Sequence, residues 1–387
     1  MAVDHRAGRE VPIVWRGRRV RAFVPALLAQ RDLGLGAQAV ARTATAAAEV
    51  RHAAAQLRPE VEPLARLLLR AEGVASSYIE GIAAPVVDVV LAEEHATRTA
   101  VGPAAWVAAT LSAVSDAVAV APGAQLSVDQ LCLWHRTTMA GSPIPERYVG
   151  VVRDEQGWIG GTDPTDAHVV TPPPDQVEAL LADLVAYAND DAPDPVAQAA
   201  VAHAQFEVIH PFADGNGRVG RVLVAWVLAR RLALVAPPPV SVAMAADVGG
   251  YSAGLTLFRL GQLDRWVSWF ADAVADGGRR QRQLVDEVER LRAAWRQRLG
   301  ARAGRALRAD AAAWRVLGLL PRHLLLTSDV VAGALGVSAK AAIAALRQLS
   351  EAGVLVEYGT LTRGRGQPAK LYVSTELLGL AGSNPLR

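Results

Sequence analysis

The chain of 387 residues is 51% hydrophobic and 20% charged, long enough for two or three domains and too apolar for wholesale disorder. Forty Lys/Arg against thirty-eight Asp/Glu leave a net charge of +2, which gives no chain-wide electrostatic case for nucleic acid or an anionic membrane. Lys340 and Lys370 are the only lysines and Cys132 the only cysteine, which excludes a P-loop or Schiff-base lysine before residue 340, a disulfide framework and a multi-cysteine zinc site.

In chain order, the N-terminal Met1-Ala-Val-Asp-His-Arg6 lacks the apolar core of a signal peptide. The apolar run Val222–Ala229 is cut by Arg230 and Arg231, far short of a membrane span. The expectation is a soluble, cytoplasmic protein with no membrane partner. From Gln38 to Arg70, apolar residues at three- and four-residue spacing (Val50, Leu57, Val61, Leu64, Leu68) predict helix. Helical patterns follow over roughly 104–120, 127–140, 175–188, 195–209, 218–232 and 262–298. Strand signals are few. Gly150–Gly161 sets β-branched residues on both sides of Glu155-Gln-Gly157 and predicts a hairpin, after which Pro172–Pro174 open the next helix.

Beyond residue 305 the pattern changes. Helices are predicted at 311–320, at 327–335 with Thr327 or Ser328 as N-cap, and at 338–352. Strands at 354–358 and 369–373 follow, joined by the Arg363-Gly-Arg-Gly366 tip. That order is the order of a winged helix-turn-helix domain. Residues 301–387 hold eleven Lys/Arg against five Asp/Glu. DNA contact through Lys340, Arg347, Arg363 and Arg365, and a docking or dimerisation role, stand as equal alternatives. Three parts are expected: a helical module over 1–100, a core over 101–300 and the winged-helix domain over 301–387.

The densest chemical signal is His210-Pro-Phe-Ala-Asp-Gly-Asn-Gly-Arg-Val-Gly-Arg221. The residue before a proline disfavours the α region, so the preceding helix must stop at His210 and its ring can project into the loop. Gly215-Asn216-Gly217 can turn backbone N–H groups inward at the start of the next helix, an anion site helped by the helix dipole. Arg218 and Arg221 lie three apart on that first turn, two guanidinium forks suited to a chain of phosphates. Asp214 is a hard oxygen ligand of the kind Mg²⁺ accompanying phosphates requires. A base, a phosphate cradle, two arginines and a metal carboxylate together point to transfer of a phosphorus-containing group.

This segment resembles the signature of the Fic family, H-x-F-x-(D/E)-G-N-G-R-x-x-R, at every specified position. Ala202–Ile209 is similar to the family's preceding helix and Trp266–Phe270 to its later core helix. The resemblance implies a mainly α fold, a Fic helical core with a β-hairpin flap, and the activity of a protein adenylyltransferase. It makes His210 the general base that takes a proton from a Ser, Thr or Tyr hydroxyl of a target protein, this chain included. It implies ATP held along Gly215, Asn216, Gly217, Arg218, Val219, Gly220 and Arg221, with Asp214 orienting Mg²⁺, Arg218 on the β-phosphate and Arg221 on the γ-phosphate. Gly217 stands where relatives that transfer phosphate carry a basic residue, which favours nucleotidyl transfer. Tyr251 is a candidate for the adenine, against an ordinary core or surface tyrosine. The resemblance also makes Gly150–Gly161 the flap and sets Trp158, Ile159, Gly160 and Gly161 beside the acceptor by main-chain pairing.

Upstream, Ser76, Glu80 and Gly81 fit the family's inhibitory-helix pattern (S/T)-x-x-x-E-(G/N). Four residues apart, Ser76 and Glu80 share a helix face, and the resemblance implies that Glu80 is held against Arg221. Whether Glu80 also positions a water for AMP removal stays open. The competing function is a DNA-binding transcription regulator whose Fic core senses nucleotide; a third option is another donor such as UTP. His203, seven before His210, reads as a packed core histidine rather than a metal ligand. Cys132 and His135 receive no role.

Overall fold

The chain opens with a hairpin that the strand signals did not single out. Strands β1 (Gly8–Trp15) and β2 (Arg18–Pro25) pair antiparallel in register from Gly8↔Pro25 to Trp15↔Arg18. Both residues of the Arg16-Gly17 turn have positive φ, 47° and 80°, the geometry whose twist suits a two-residue hairpin loop. The computed structural model describes residues 7–29, 32–57, 62–94, 101–302, 308, 311–361 and 368–381.

Two helices, α1 (Ala37–Ala54) and α2 (Glu62–Ile79), replace the single helical stretch expected over 38–70. Pro59 and Pro63 lack the N–H that a continuous helix would require. After α3 (Val86–Glu94) come α4 (Pro103–Val120), α5 (Val128–Thr138), α6 (Pro174–Asn189), α7 (Pro195–Ile209) and α8 (Asn216–Leu232). Then follow α9 (Val240–Ala246), α10 (Val248–Arg259) and the long α11 (Leu263–Arg302). The helical spans expected for α4 to α8 and for α11 agree within a few residues; α3, α9 and α10 have no predicted counterpart. The fold is mainly helical.

Helices α7 and α8 lie at the centre, with α1, α4, α5, α6, α10 and α11 packed around them. Every residue from Val196 to Ile209 is buried, which is why α7 shows no polar face. The large side chains of this core, Phe206, Phe212, Trp226, Trp266 and Phe270, are all buried. Among the described residues α4 is the helix long and apolar enough to cross a membrane by length and composition. Here it packs against α2, α3, α5 and α8.

The hairpin expected within 150–161 takes a different form. Strand β3 (Trp158–Ile159) pairs with β4 (Val169–Val170), which lies beyond the predicted segment. Gly150–Gly157 cannot pair with itself because its groups are committed elsewhere. Gly150 N–H donates to His135, and Gly157 C=O accepts from Thr171.

The C-terminal part runs α12 (Ala312–Leu319), β5 (Leu325–Leu326), α13 (Ser328–Leu335), α14 (Ala339–Glu351), β6 (Val356–Leu361), β7 (Ala369–Val373) and α15 (Thr375–Ala381). Thr327 caps α13 by accepting from Val330 N–H, and Ser338 caps α14 by accepting from Ala341 N–H. The antiparallel sheet has order β5-β7-β6; its third strand, β5, was not foreseen. Lys340 and Arg347 are exposed on α14, the latter 3.6 Å from Glu351. Arg363 and Arg365 lie outside the described residues. A second core unites Val316, Leu346 and Leu349 of this part with Leu64 and Leu67 of α2, Val90 of α3 and Trp295 of α11. So the face of α2 near its start is covered by the C-terminal part, while its far end reaches the site described next.

Candidate active site

Helix α7 stops where Pro211 requires it. His210 takes a left-handed conformation (φ 51°, ψ 61°) while its N–H still donates to Phe206 C=O. For a non-glycine residue that conformation costs roughly 1–2 kcal/mol. Arg153 offsets it: its guanidinium donates to the carbonyls of His210 (2.7 Å), Ile209 (3.2 Å), Pro172 (2.8 Å) and Glu155 (2.8 Å) and to the Thr171 hydroxyl (3.0 Å). One buried arginine thus ties the base of the β3–β4 flap to the carbonyl of His210. Burial lowers its pKa to about 10, which leaves it charged at neutral pH.

The His210 Nδ1 lies 3.3 Å from Glu207 C=O. A carbonyl only accepts, so Nδ1 carries the hydrogen and Nε2 is left as the proton acceptor. Burial first, and Arg153 second, push the ring down to about 4 against the opposing pull of the Glu207 carbonyl, Glu80 and Asp214. A neutral imidazole at pH 7 is what a general base must be.

The turn into α8 is built by side chains as well as glycines. Asn216 clamps Phe212 from both sides, accepting its N–H at 2.9 Å and donating to its C=O at 2.8 Å. Gly215 has φ 75°, and a Cβ there would lie 2.5 Å from Met139 Sδ. Only glycine fits. Asp214 is exposed and accepts from Gly215 N–H at 2.6 Å. Behind it, the buried His135 stacks on Phe212, accepts from Gly150 N–H at 2.7 Å and meets Asp214 C=O at 3.0 Å. With Nδ1 accepting, Nε2–H donates to that carbonyl, so one neutral imidazole links the start of the flap segment to the anion loop. Burial keeps it neutral, near 4.

Two guanidiniums close the site. Arg218 is buried; one of its N–H groups meets Met139 Sδ at 2.9 Å, and Nε and Nη1 find no partner among the described residues. Arg221 is buried, and its Nε and Nη2 are fully used: Nε donates to Ser76 Oγ (2.8 Å), Nη2 to Ser76 C=O (2.8 Å) and to Glu80 Oε1 (2.7 Å). Glu80 therefore lies over the start of α8, its oxygen only 2.1 Å from where a Cβ on Gly217 would stand. Burial alone would raise the Glu80 carboxyl. Arg221, helped by Arg218 and His210, outweighs it and holds Glu80 below the usual carboxylate range. Gly81, at φ 76°, ends α2 with the left-handed turn a C-terminal glycine permits, which leaves Glu80 at the helix tip. Further back, buried Glu72 accepts from Ser241 N–H at 2.8 Å and from its hydroxyl, pinning α2 to α9.

Sequence reasoning missed Arg153 and gave His135 no role. Neither has a local signal, because the partners that define them are 15 to 79 positions away. Tyr251, considered either for the adenine or as an ordinary tyrosine, lies in the core. It is 5% exposed, with its hydroxyl 2.8 Å from His203 Nε2 and 3.5 Å from Arg221 Nη1. Val219 is a core residue, and Gly220 serves packing: a Cβ there would meet Glu207 Oε1 at 2.5 Å and His203 Nδ1 at 2.9 Å. Gly220→Ala should therefore lose roughly 1–3 kcal/mol of stability despite alanine's better helix propensity. A thermal melt at or above the parental midpoint would show that the two side chains move aside. In the flap, Trp158 and Ile159 are half-buried, while Gly160 and Gly161, both at φ 70°, begin its exposed turn.

The comparisons agree with this geometry. Residues 125–228 match the family model described as Fic/DOC family. A protein adenylyltransferase, fic-1, of Caenorhabditis briggsae is 31% identical over 150 residues, 38% of this chain and 27% of that protein. A probable protein adenylyltransferase of Aquifex aeolicus is 47% identical over 58 residues, 15% of this chain and 18% of its own. The chain spans about a quarter or less of the length of these curated relatives. A crystal structure of a Fic family protein from Desulfovibrio desulfuricans G20, 21% identical, matches 88% of this chain and 97% of its own with a TM-score of 0.53. A Fic domain containing signaling protein from Bacteroides thetaiotaomicron, 16% identical, matches 62% of this chain and 97% of its own at 0.51. The helical bundle around α7 and α8 is a Fic fold. Residues 125–228 of this chain form a Fic/DOC family domain.

Proposed function

We propose that this protein is an adenylyltransferase that moves AMP from Mg-ATP to a Ser, Thr or Tyr hydroxyl of a protein, and that α2 restrains it. The observation that carries the reading is Arg218, a buried guanidinium at the N-terminus of α8 whose Nε and Nη1 find no partner among the described residues. Such a group calls for an anion, and the helix dipole favours one in the same place. The names of the adenylyltransferase relatives support the same chemistry.

In this mechanism the α- and β-phosphates lie on the N–H groups of Asn216 and Gly217, and on that of Gly215 once the Asp214 carboxylate releases it, and Arg218 meets the β-phosphate. Asp214, exposed at that loop, would hold the Mg²⁺ that arrives with the triphosphate, and that cation would supply neutralisation of phosphate charge. His210 Nε2 takes the hydroxyl proton. The hydroxyl oxygen attacks the α-phosphorus, the bond to the bridging oxygen breaks, and pyrophosphate leaves. Arg218 and Arg221 stabilise charge on the departing group. The flap, braced through Arg153, pairs with the target main chain. Glu80 withholds Arg221 from the γ-phosphate. The part beyond residue 311 has the helix and strand order of a winged helix, and we place the protein in the cytoplasm.

Intact mass after incubation with ATP and Mg²⁺ is the test. The protein, in which Ser, Thr and Tyr acceptors are available in cis, should gain one or more adenylyl groups, and unlabelled ATP should compete better than UTP. A protein that binds ATP yet adds no AMP to itself or to any protein of a lysate, even with Glu80 removed, would not be an adenylyltransferase.

A further inference from the structure

Behind Arg221 lies a set of buried polar groups that the transfer reaction does not use. His203 is fully buried and Tyr251 nearly so. His203 Nε2 is 2.8 Å from the Tyr251 hydroxyl, that hydroxyl is 3.5 Å from Arg221 Nη1, and His203 Nδ1 is 4.0 Å from Glu207 Oε1. Gly220 is the residue that lets His203 and Glu207 lie against α8. A core histidine beside a tyrosine needs no function by itself. The direction of the hydrogen bonds suggests one.

An arginine has donors only. Toward Arg221 the tyrosine oxygen must accept, so its single proton goes to His203 Nε2. His203 must then be neutral, with its hydrogen on Nδ1 facing Glu207. Burial and the nearby Arg221 charge keep it so, near 3. The chain of donation therefore runs one way, from Arg221 through Tyr251 to His203. It also divides the fork. Nε and Nη2 form the edge that Ser76 and Glu80 occupy, while Nη1 faces Tyr251 on one side and lies 3.1 Å from where a Cβ on Gly217 would stand.

Resting on the proposed function, we infer that Tyr251, oriented by His203, is a positioning residue for Arg221. It holds Nη1, so that Nη2, once released by Glu80, is already turned toward the γ-phosphate. In the restrained state the contact is long because Ser76 and Glu80 draw the fork toward α2. When Glu80 is removed, Ser76 still holds Nε and Nη2 from one side, and Tyr251 is the acceptor that faces Nη1. Without it Nη1 loses its acceptor, the guanidinium can tilt about its remaining contacts to Ser76, and ATP loses the ordered contact that AMP never makes.

The experiment measures ATP and AMP affinity by titration calorimetry in Glu80→Gly with His210→Ala, where no transfer depletes the ligand. Adding Tyr251→Phe, which removes one oxygen, should weaken ATP about tenfold and leave AMP within twofold. His203→Leu should do the same. His203→Gln, whose side-chain oxygen can still accept from the tyrosine, should restore ATP affinity to within about threefold. In the catalytically intact Glu80→Gly background, Tyr251→Phe should raise KM for ATP more than it lowers kcat. If Tyr251→Phe changes ATP and AMP affinity by the same factor, or changes neither, Tyr251 is a packing residue and the inference fails while the proposed function stands. If the Glu80→Gly protein binds no ATP, both fail.

Discussion

His210→Ala should bind ATP at near-parental affinity and transfer AMP slower by roughly 10²–10⁴. The two readouts should separate because the proposed phosphate cradle, Gly215–Arg221, lies at the start of α8, whereas the ring belongs to the end of α7. Asn216 holds the loop shape through Phe212 and does not touch the imidazole. The pH profile adds a second check. A base must be neutral, and His210 has its pKa depressed to about 4. As pH falls, the ring therefore stays competent well below the usual histidine value and protonates only near pH 4. The profile of kcat/KM, which reports the free enzyme, should be flat from pH 8 to about 5 and fall as pH drops through about 4. A fall centred near 6.5 would mean a solvated ring. Parental transfer in His210→Ala would remove it from the chemistry altogether.

What the sequence discloses here follows from how local each feature is. His210, Asp214, Gly215–Gly217, Arg218 and Arg221 are legible together because twelve consecutive residues make a helix end, a loop and a helix start. Glu80 is legible from spacing to Ser76 and from Gly81, which terminates α2. The flap is less so. Its strand pair joins 158–159 to 169–170, and the Glu155-Gln-Gly157 turn that suggested a nearer hairpin is occupied by bonds to Arg153 and Thr171. Tyr251 could not be assigned from its neighbours, since what distinguishes it is a bond to His203 forty-eight positions earlier. Helix α7 shows the opposite limit. Buried on every side, it has no amphipathic stripe, and only its end is marked locally, by Pro211.

The placement of α2 explains why a restraint there is coherent as physics. Leu64 and Leu67 near its start belong to the core shared with the C-terminal part, Glu72 grips Ser241 at its middle, and Ser76 and Glu80 reach Arg221 at its end. A helix fastened along its length cannot lift cheaply. The restraint is then removed more easily by changing the side chain at its tip than by moving the helix.

Glu80→Gly should accordingly raise AMP transfer by up to ~100-fold, the factor expected if the restrained arrangement is favoured by about 2.7 kcal/mol. Glu80 Oε1 lies 2.7 Å from Arg221 Nη2 and fills the space above Gly217. In the proposed mechanism it would compete with the triphosphate both for the fork and for the room over the anion loop. A charge-assisted Arg–carboxylate contact is strong enough to do so. Removing one partner of a buried ion pair can cost ~3–5 kcal/mol when the other charge is stranded. Arg221 is not stranded, because Ser76 Oγ, Ser76 C=O and the Tyr251 hydroxyl remain, so the fold should survive with a loss toward the low end of ~1–3 kcal/mol. Labelled AMP on the protein itself or on lysate proteins should rise sharply in Glu80→Gly and return to background when His210→Ala is added. Equal labelling of Glu80→Gly and parent, with ATP bound equally by both, would reduce the Glu80–Arg221 pair to a packing contact and leave α2 as an ordinary helix of the core.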